Sequence, residues 1–253
     1  MRPAHNCQQS LRQLRKLSTQ TGHGIKGTAA KGMELKTAVI FDLDGTIADT
    51  RPDLVAALNA CLRPHGFREV AVREIGHAAG HGSLAMIDAA CRMQDRVISP
   101  EERIAAQQRF LAHYEANIAV DTRLFPGIEK TMDYICSLGM ELAVCTNKPE
   151  RLALQLMGAL GIRDRFAAIT GGDTFAFRKP DGRHLTATLE RADANRGLMV
   201  GDTVTDLDAA RSADMPVVLV DFGYSSVRVD TLGPDAIISH FDQLADEIGR
   251  LLG

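Results

Sequence analysis

Thr37-Ala38-Val39-Ile40-Phe41-Asp42-Leu43-Asp44-Gly45-Thr46 is the stretch whose reading decides the fold. Its first five residues form a short apolar run that suits a strand buried on both faces, as in a parallel sheet covered by helices. The run then breaks into two carboxylates, Asp42 and Asp44, followed by Gly45, which permits a tight turn. Three further pieces follow in order. Met140–Cys145 leads into Thr146-Asn147, Arg178-Lys179-Pro180 reads as a loop, and Leu198–Val200 leads into Gly201-Asp202-Thr203-Val204-Thr205-Asp206. In an open parallel α/β sheet the carboxyl ends of the strands lie along one edge, where ligands bind. Carboxylates, a hydroxyl and a lysine gathered at that edge can hold Mg2+ and a phosphate together.

Outward from this strand, residues 51–123 contain no comparable apolar run and read as helices over Asp53–Arg63, Ser83–Met93 and Glu101–Ile118. Ser99-Pro100-Glu101-Glu102 supplies an N-cap serine, a proline at the first helical position and a glutamate at the third, a strong helix start. Beyond Phe125-Pro126-Gly127, expected helices over Ile128–Leu138, Glu150–Leu160, Arg183–Arg191, Val204–Ser212 and Asp242–Leu252 alternate with short apolar runs. Those runs are Met140–Cys145, Phe166–Thr170, Leu198–Val200, Pro216–Val220 and Ala236–Ile238. Gly139 and Gly161 follow two of the helices as left-handed ends. The expectation is an α/β fold, a Rossmann-like parallel sheet with an inserted helical domain. The expected division is a tail over 1–35, a core over 36–50 and 124–253, and a helical cap over 51–123.

Hydrophobic residues at 45% and charged residues at 24% fit an ordinary globular chain, and no stretch has the roughly 18 uninterrupted apolar residues of a membrane span. Five scattered cysteines without a CxxC pair indicate neither a zinc site nor a disulfide framework, and reduced thiols are expected. Residues 1–36 carry seven Lys/Arg against one acid, leaving 22 basic and 31 acidic groups in the remainder. An acidic folded part argues against nucleic acid as a partner. The tail is glycine-rich, and Leu11, Leu14 and Leu17 with Arg12, Arg15 and Lys16 allow a basic amphipathic helix of the organelle-transit kind. The favoured alternative is an upstream start, with Met33 the natural first residue. A cytoplasmic monomer or homodimer is expected, with no membrane partner.

The four motifs, in this order and with the insert directly after the first, resemble the haloacid dehalogenase (HAD) superfamily over residues 36–250. Within it, Asp49-Thr50-Arg51-Pro52-Asp53-Leu54, Thr146-Asn147-Lys148-Pro149 and Gly171-Gly172-Asp173 look most like phosphoglycolate phosphatases. The resemblance implies the HAD fold with a cap, Mg2+ as cofactor, and a small phosphorylated metabolite as substrate, with 2-phosphoglycolate the leading one. Chemistry supports the roles. A carboxylate at Asp42 can take a phosphoryl group and divide hydrolysis into two steps, while Asp44 can protonate the leaving alcohol and then deprotonate water. By resemblance the Asp44 carbonyl is also a metal ligand, beside Asp42 and Asp202. Thr146, Asn147 and Lys179 would hold the phosphate, and Asp206 would orient Lys179 or a metal-bound water.

Two departures narrow the branch. Haloacid dehalogenases lack the second aspartate of the first motif, which is present here as Asp44. Phosphonate hydrolases use a cap lysine, and residues 51–123 contain none. Close phosphoglycolate phosphatases carry Lys-Pro-x-Pro, whereas this chain reads Lys179-Pro180-Asp181-Gly182, which bears on the substrate and not on the lysine. In the cap, Gly80-His81-Gly82-Ser83 reads either as the loop facing substrate, through His81, Gly82 and Ser83, or as a helix-start loop without ligand. A phosphosugar phosphatase, a β-phosphoglucomutase-like phosphotransferase and a non-catalytic binder on the same fold are the alternative readings.

Overall fold

The structure, a computed structural model, describes residues 35–253; the basic tail and the expectations attached to it lie outside them. β1 (Thr37–Phe41) is the central strand. β2 (Ala48–Asp49) and β3 (Arg123–Leu124) pair antiparallel as a separate ribbon. With β4 (Glu141–Cys145), β5 (Ala168–Thr170), β6 (Arg196–Gly201), β7 (Val217–Val220) and β8 (Ala236–Ile238), β1 builds a parallel six-stranded sheet of order β5-β4-β1-β6-β7-β8. The chain order reverses on either side of β1, so the sheet has its switch point there.

Strict alternation along β1 explains its composition. Val39 and Phe41 enter one apolar cluster and Ala38 and Ile40 the other, all four with no exposed surface. The first cluster is closed by α5 (Ile128–Ser137), α6 (Glu150–Ala159) and α9 (Leu244–Leu252), through Met132, Ile135, Leu152, Leu156, Leu244 and Ile248. The second is closed by α7 (Arg183–Arg191) and α8 (Val204–Ser212), through Leu185, Leu189, Leu207 and Ala210. Helices on both faces are what a parallel sheet requires.

Residues 51–123 are helical as expected: α1 (Arg51–Leu62), the short α2 (Val72–Ile75), α3 (Ser83–Met93) and α4 (Pro100–Ala116). 3-10 segments at Arg63–His65 and Gly76–His81 link the first three. The capping box forms, with Glu102 N–H donating to Ser99 Oγ at 3.1 Å and Ser99 N–H donating to Glu102 Oε2 at 2.7 Å. Gly139 and Gly161 take positive φ, 74° and 71°, as their places after helices required. Some ends differ. α4 stops at Ala116 rather than Ile118, because Asn117 leaves helical geometry at φ −130° and ψ 45°. α9 starts at Leu244, since Phe241–Gln243 forms a separate 3-10 turn. β6 runs longer than its apolar core, as Arg196 and Gly197 still register against Thr37 and Ala38.

The ribbon was not legible in the sequence. It lies where the chain leaves the core for the helices and where it returns, with Ala48 opposite Leu124 and Asp49 opposite Arg123. Asp53 clamps the two passages, accepting from Asp121 N–H at 3.0 Å and from Thr122 N–H and Oγ1 at 2.9 and 2.7 Å. Cys61, Cys91 and Cys145 are free, as expected. Among the described residues no helix is long and apolar enough to cross a membrane.

Asp53, on the outgoing passage, is buried at 4% exposure and satisfies three donors on the returning one. Asp53→Ala leaves those donors unpaired in a closed site, and the expected cost is about 2–4 kcal/mol in urea unfolding at neutral pH. An unchanged midpoint and slope would show that the ribbon holds without it.

Candidate active site

The sheet register sets the site. Phe41 stands opposite Val144 on β4 and Val200 on β6, with neighbouring strands about 4.8 Å apart. The residues just past those strand ends, Asp42, Thr146 and Asp202, therefore come side by side. Asp42 N–H donates to Val200 O at 2.9 Å and Thr146 N–H to Thr170 O at 3.0 Å, which continues the ladder to the functional positions.

Lys179 enters this edge from the loop after β5, 3% exposed. Its Nζ lies 2.6 Å from Asp206 Oδ1, to which it donates, and 2.9 Å from Asp42 Oδ1 in an ion pair outside hydrogen-bonding geometry. Asn147 Nδ2 donates to Lys179 O at 2.9 Å, tying the turn after β4 to the lysine loop. Burial works against the Lys179 charge, yet Asp206 and then Asp42 hold it above the ordinary lysine range.

Asp206 is saturated within the protein. Its Oδ1 takes Lys179, and its Oδ2 accepts from Asp202 N–H, Thr203 N–H and Thr203 Oγ1 at 3.2, 3.0 and 2.9 Å. Asp42, Asp202 and Asp206 each bring one carboxylate oxygen within 4.8 Å of the others. Asp202 is fully buried, accepting from Tyr224 N–H on Oδ2 at 2.6 Å and from Thr46 Oγ1 on Oδ1 at 3.3 Å. Burial raises the Asp42 pKa to about 6, with the charges of Asp206 and Asp44 adding to the rise and Lys179 opposing it. Asp202 is pushed well above the carboxylate range by burial, then by Asp206 and Asp42.

The turn that bends Asp44 back uses Gly45 at φ +85°, with Gly45 N–H donating to Ala48 O at 3.0 Å. A Cβ there would sit 2.3 Å from Asp202 Oδ2, so the first and last motifs touch only because this residue has no side chain. Asp44 accepts from Lys148 Nζ on both oxygens, at 3.0 Å each. Lys148 also donates to Tyr114 Oη at 2.8 Å, and its Nζ lies 4.4 Å from the centre of the Tyr114 ring. Burial opposes the Lys148 charge, but Asp44 and Tyr114 raise it above the usual lysine range.

Thr146, Asn147 and Lys148 do not all offer free backbone donors, because Thr146 N–H is spent on the ladder and Lys148 N–H goes to Thr146 Oγ1 at 3.2 Å. Ser83 opens α3 itself behind Gly82, without capping it, and its Oγ accepts from Gln107 Nε2 at 3.4 Å. His81 and Gly82 are exposed and Ser83 half-buried. Their turn does reach the core: a Cβ on Gly80 would lie 3.6 Å from Thr203 Cγ2 and from Tyr224 Cβ.

Lys148, Tyr114, Thr46 and Tyr224 were missed by sequence reading. Lys148 gave a local signal, a lysine two places after the Thr146 hydroxyl. Tyr114 gave none, since only folding brings a residue of α4 to that lysine. Tyr224 reaches from the segment after β7 to the ribbon, its Oη accepting from Thr50 N–H at 2.6 Å and Arg51 N–H at 3.1 Å.

A parallel sheet whose switch point gathers carboxylates, an ammonium and a hydroxyl defines an α/β phosphohydrolase. Comparison with known proteins agrees. A family model described as haloacid dehalogenase-like hydrolase matches residues 39–220. The chain belongs to that family, and within it is a phosphoric monoester hydrolase. It is 45% identical over 216 residues to a phosphoglycolate phosphatase of Mesorhizobium japonicum, covering 85% of this chain and 95% of the relative. A phosphoglycolate phosphatase of Agrobacterium fabrum is 43% identical over 212 residues, covering 83% and 91%. The crystal structure of a predicted phosphoglycolate phosphatase from Haemophilus somnus superposes with a TM-score of 0.78 at 26% identity, covering 85% and 99%.

The raised Asp42 pKa has a stability consequence. Between about 4, the unfolded value, and about 6, the folded protein binds more protons at Asp42 than the unfolded chain does, so this group favours folding as pH falls. Without divalent cations, Asp42→Asn is expected to raise Tm at pH 7.5 and to flatten the rise in Tm on acidification from pH 7 to pH 5. Thermal melts in EDTA across that range check it; a variant less stable than wild type at pH 7.5 would contradict the electrostatic account.

Proposed function

We propose that this chain hydrolyses 2-phosphoglycolate with the help of Mg2+, through a phosphoryl group carried on Asp42. One observation supports this above the others. Asp42, Lys179, Asp206 and Asp202 meet at one sheet edge, three carboxylates to one buried ammonium, and Asp42 Oδ1 is enclosed there without a hydrogen bond.

The residues fit Mg2+. Asp42 and Asp202 are hard oxygen donors whose mutual repulsion a divalent cation would relieve, and Mg2+ favours such a set completed by water and phosphate oxygens. Asp42, Asp202 and the Asp44 carbonyl would hold it, and when bound it offsets the charge of the phosphate facing Asp42.

Asp42 attacks phosphorus, taking the phosphoryl group as the leaving alkoxide departs. Thr146 donates its hydroxyl to a phosphate oxygen, and Lys179, held by Asp206 and by the Asn147 bond to its carbonyl, neutralises the charge there. Asp44 protonates the leaving alcohol, then takes a proton from the water that opens the aspartyl-phosphate. All of these residues come from one chain, so a single protomer suffices whether the protein is a monomer or a homodimer. Its substrate is a small diffusible metabolite, and the cytoplasm is the compartment we assign.

In this reading residues 36–50 and 124–253 form the catalytic core and 51–123 the cap, joined through the β2–β3 ribbon. The cap loop at His81, Gly82 and Ser83, brought to the core through Gly80, meets the substrate's carboxylate. The phosphoglycolate phosphatases of Mesorhizobium japonicum and Agrobacterium fabrum support the substrate assignment.

A phosphate-release screen over 2-phosphoglycolate, hexose phosphates and nucleoside monophosphates is expected to single out 2-phosphoglycolate. EDTA is expected to abolish turnover and Mg2+ to restore it. Asp42→Asn should lose at least about 1,000-fold in kcat while remaining folded. Retained turnover in folded Asp42→Asn would overturn the covalent route, and preferred hydrolysis of a hexose phosphate would move the substrate to the sugar class.

His81→Ala and Ser83→Ala are expected to raise KM for 2-phosphoglycolate more than for a neutral phosphate ester. An unchanged ratio of kcat/KM between the two substrates in both variants would remove this loop from selectivity.

A further inference from the structure

Lys148 is a buried ammonium whose three donors are accounted for. An ammonium has three N–H groups, and Lys148 Nζ meets three acceptors: Asp44 Oδ1, Asp44 Oδ2 and Tyr114 Oη, at 3.0, 3.0 and 2.8 Å. Its side chain is 5% exposed and Tyr114 is 1% exposed, so water offers little substitute for a lost partner. Asp44 and Lys148 belong to the sheet edge, on the turns after β1 and β4. Tyr114 belongs to α4, in the helical insert.

The seating of α4 has a second, independent anchor beside the tyrosine. Arg151 on α6 pairs with Glu115, Nη2 donating to Oε2 at 2.8 Å, and Gln155 Nε2 donates to Glu115 O at 2.9 Å. The last turn of α4 is therefore fixed to the helix that follows Lys148. Among the described residues, this lysine links the Asp44 carboxylate to a side chain of the insert.

We propose that Lys148 is the positioning residue for Asp44, and that Tyr114 makes this positioning depend on the seating of α4 against the core. The proposal rests on the reading of Asp44 as the group that serves the leaving alcohol. With α4 in place, the carboxylate is held by an ammonium that is itself fixed from the opposite side; on protonation Asp44 keeps one oxygen on that ammonium and turns the other, which carries the proton, to the leaving oxygen. With α4 displaced, Lys148 loses the hydroxyl and the ring face, and its Nζ is free to move away from the Asp44 geometry that the seated helix sets. The acid–base group would then be set only when the insert is down over the edge. No covalent step is added; Lys148 and Tyr114 act through Asp44.

Leaving-group dependence reads this directly, because alkyl esters need protonation of the departing oxygen more than aryl esters do. The measurement is kcat/KM, in the full chain with Mg2+, for 2-phosphoglycolate and for 4-nitrophenyl phosphate. Tyr114→Phe keeps the ring and removes the acceptor; it is expected to lower the alkyl value about tenfold and the aryl value little. Lys148→Met is expected to lower the alkyl value about 100-fold, the lower end of what a positioned acid contributes. The double variant should be no worse than Lys148→Met alone, as residues acting in one chain are not additive.

Equal losses for the two esters in both variants would overturn the proposal, and so would losses that multiply in the double variant. If Lys148→Met fails to fold, which its melt reports, Tyr114→Phe alone decides between selective and equal loss. Asp44→Asn, run beside them, separates the two ideas. Selective loss in Asp44→Asn with equal losses in the other variants sinks the latch alone, whereas equal loss in Asp44→Asn sinks the acid–base reading beneath it.

Discussion

The contact on which the rest of this site depends is the buried ammonium of Lys179 between Asp206 and Asp42. Burying a carboxylate costs several kcal/mol unless it is paired, and this edge buries more acids than it has cations to match. Asp206 resolves part of the conflict by spending both oxygens on the lysine and on the start of α8. Asp42 resolves less of it and keeps a raised pKa. A carboxylate held but incompletely satisfied has reactivity left to use, which is what the role proposed for Asp42 needs. Structure and chemistry pull in opposite directions here, and the lysine is the compromise.

Close approach is the second constraint. The first and last motifs meet across Gly45, where any side chain would strike Asp202. Tyr224 then uses its backbone to hold Asp202 and its hydroxyl to gather the N–H groups of Thr50 and Arg51 at the start of α1. A single residue outside every motif thus spans from the Asp202 carboxylate to the point where the chain leaves the core.

Much of this was legible because it is written locally. An apolar run followed by Asp-Leu-Asp-Gly signals a strand and a turn together, and strand ends in a parallel sheet must share an edge. Asp206 was legible for the same reason, being one turn into a helix that begins at the edge. What escaped depends on distant pairing. Two residues per strand in the β2–β3 ribbon are too few to show a period, and their pairing joins positions about 75 apart. Tyr114 sits on a helix whose apolar face is ordinary, and nothing in α4 marks it as the partner of Lys148. In the cap loop Gly82 stands at the N-cap position of α3, where its φ of 86° lets the chain enter the helix without a side-chain cap.

The ribbon has an architectural consequence. The chain departs and comes back through adjacent, hydrogen-bonded positions, with Asp53 bolting one passage to the other. Seen from the sheet, everything between is a branch whose chain enters and leaves at one node, and closing that node costs only slowly more as the branch lengthens. Ancestral lengthening, shortening or wholesale exchange of the branch would leave the ladder beneath it in register. A fold built this way can keep one bond-breaking apparatus and diversify by changing what is allowed to reach it.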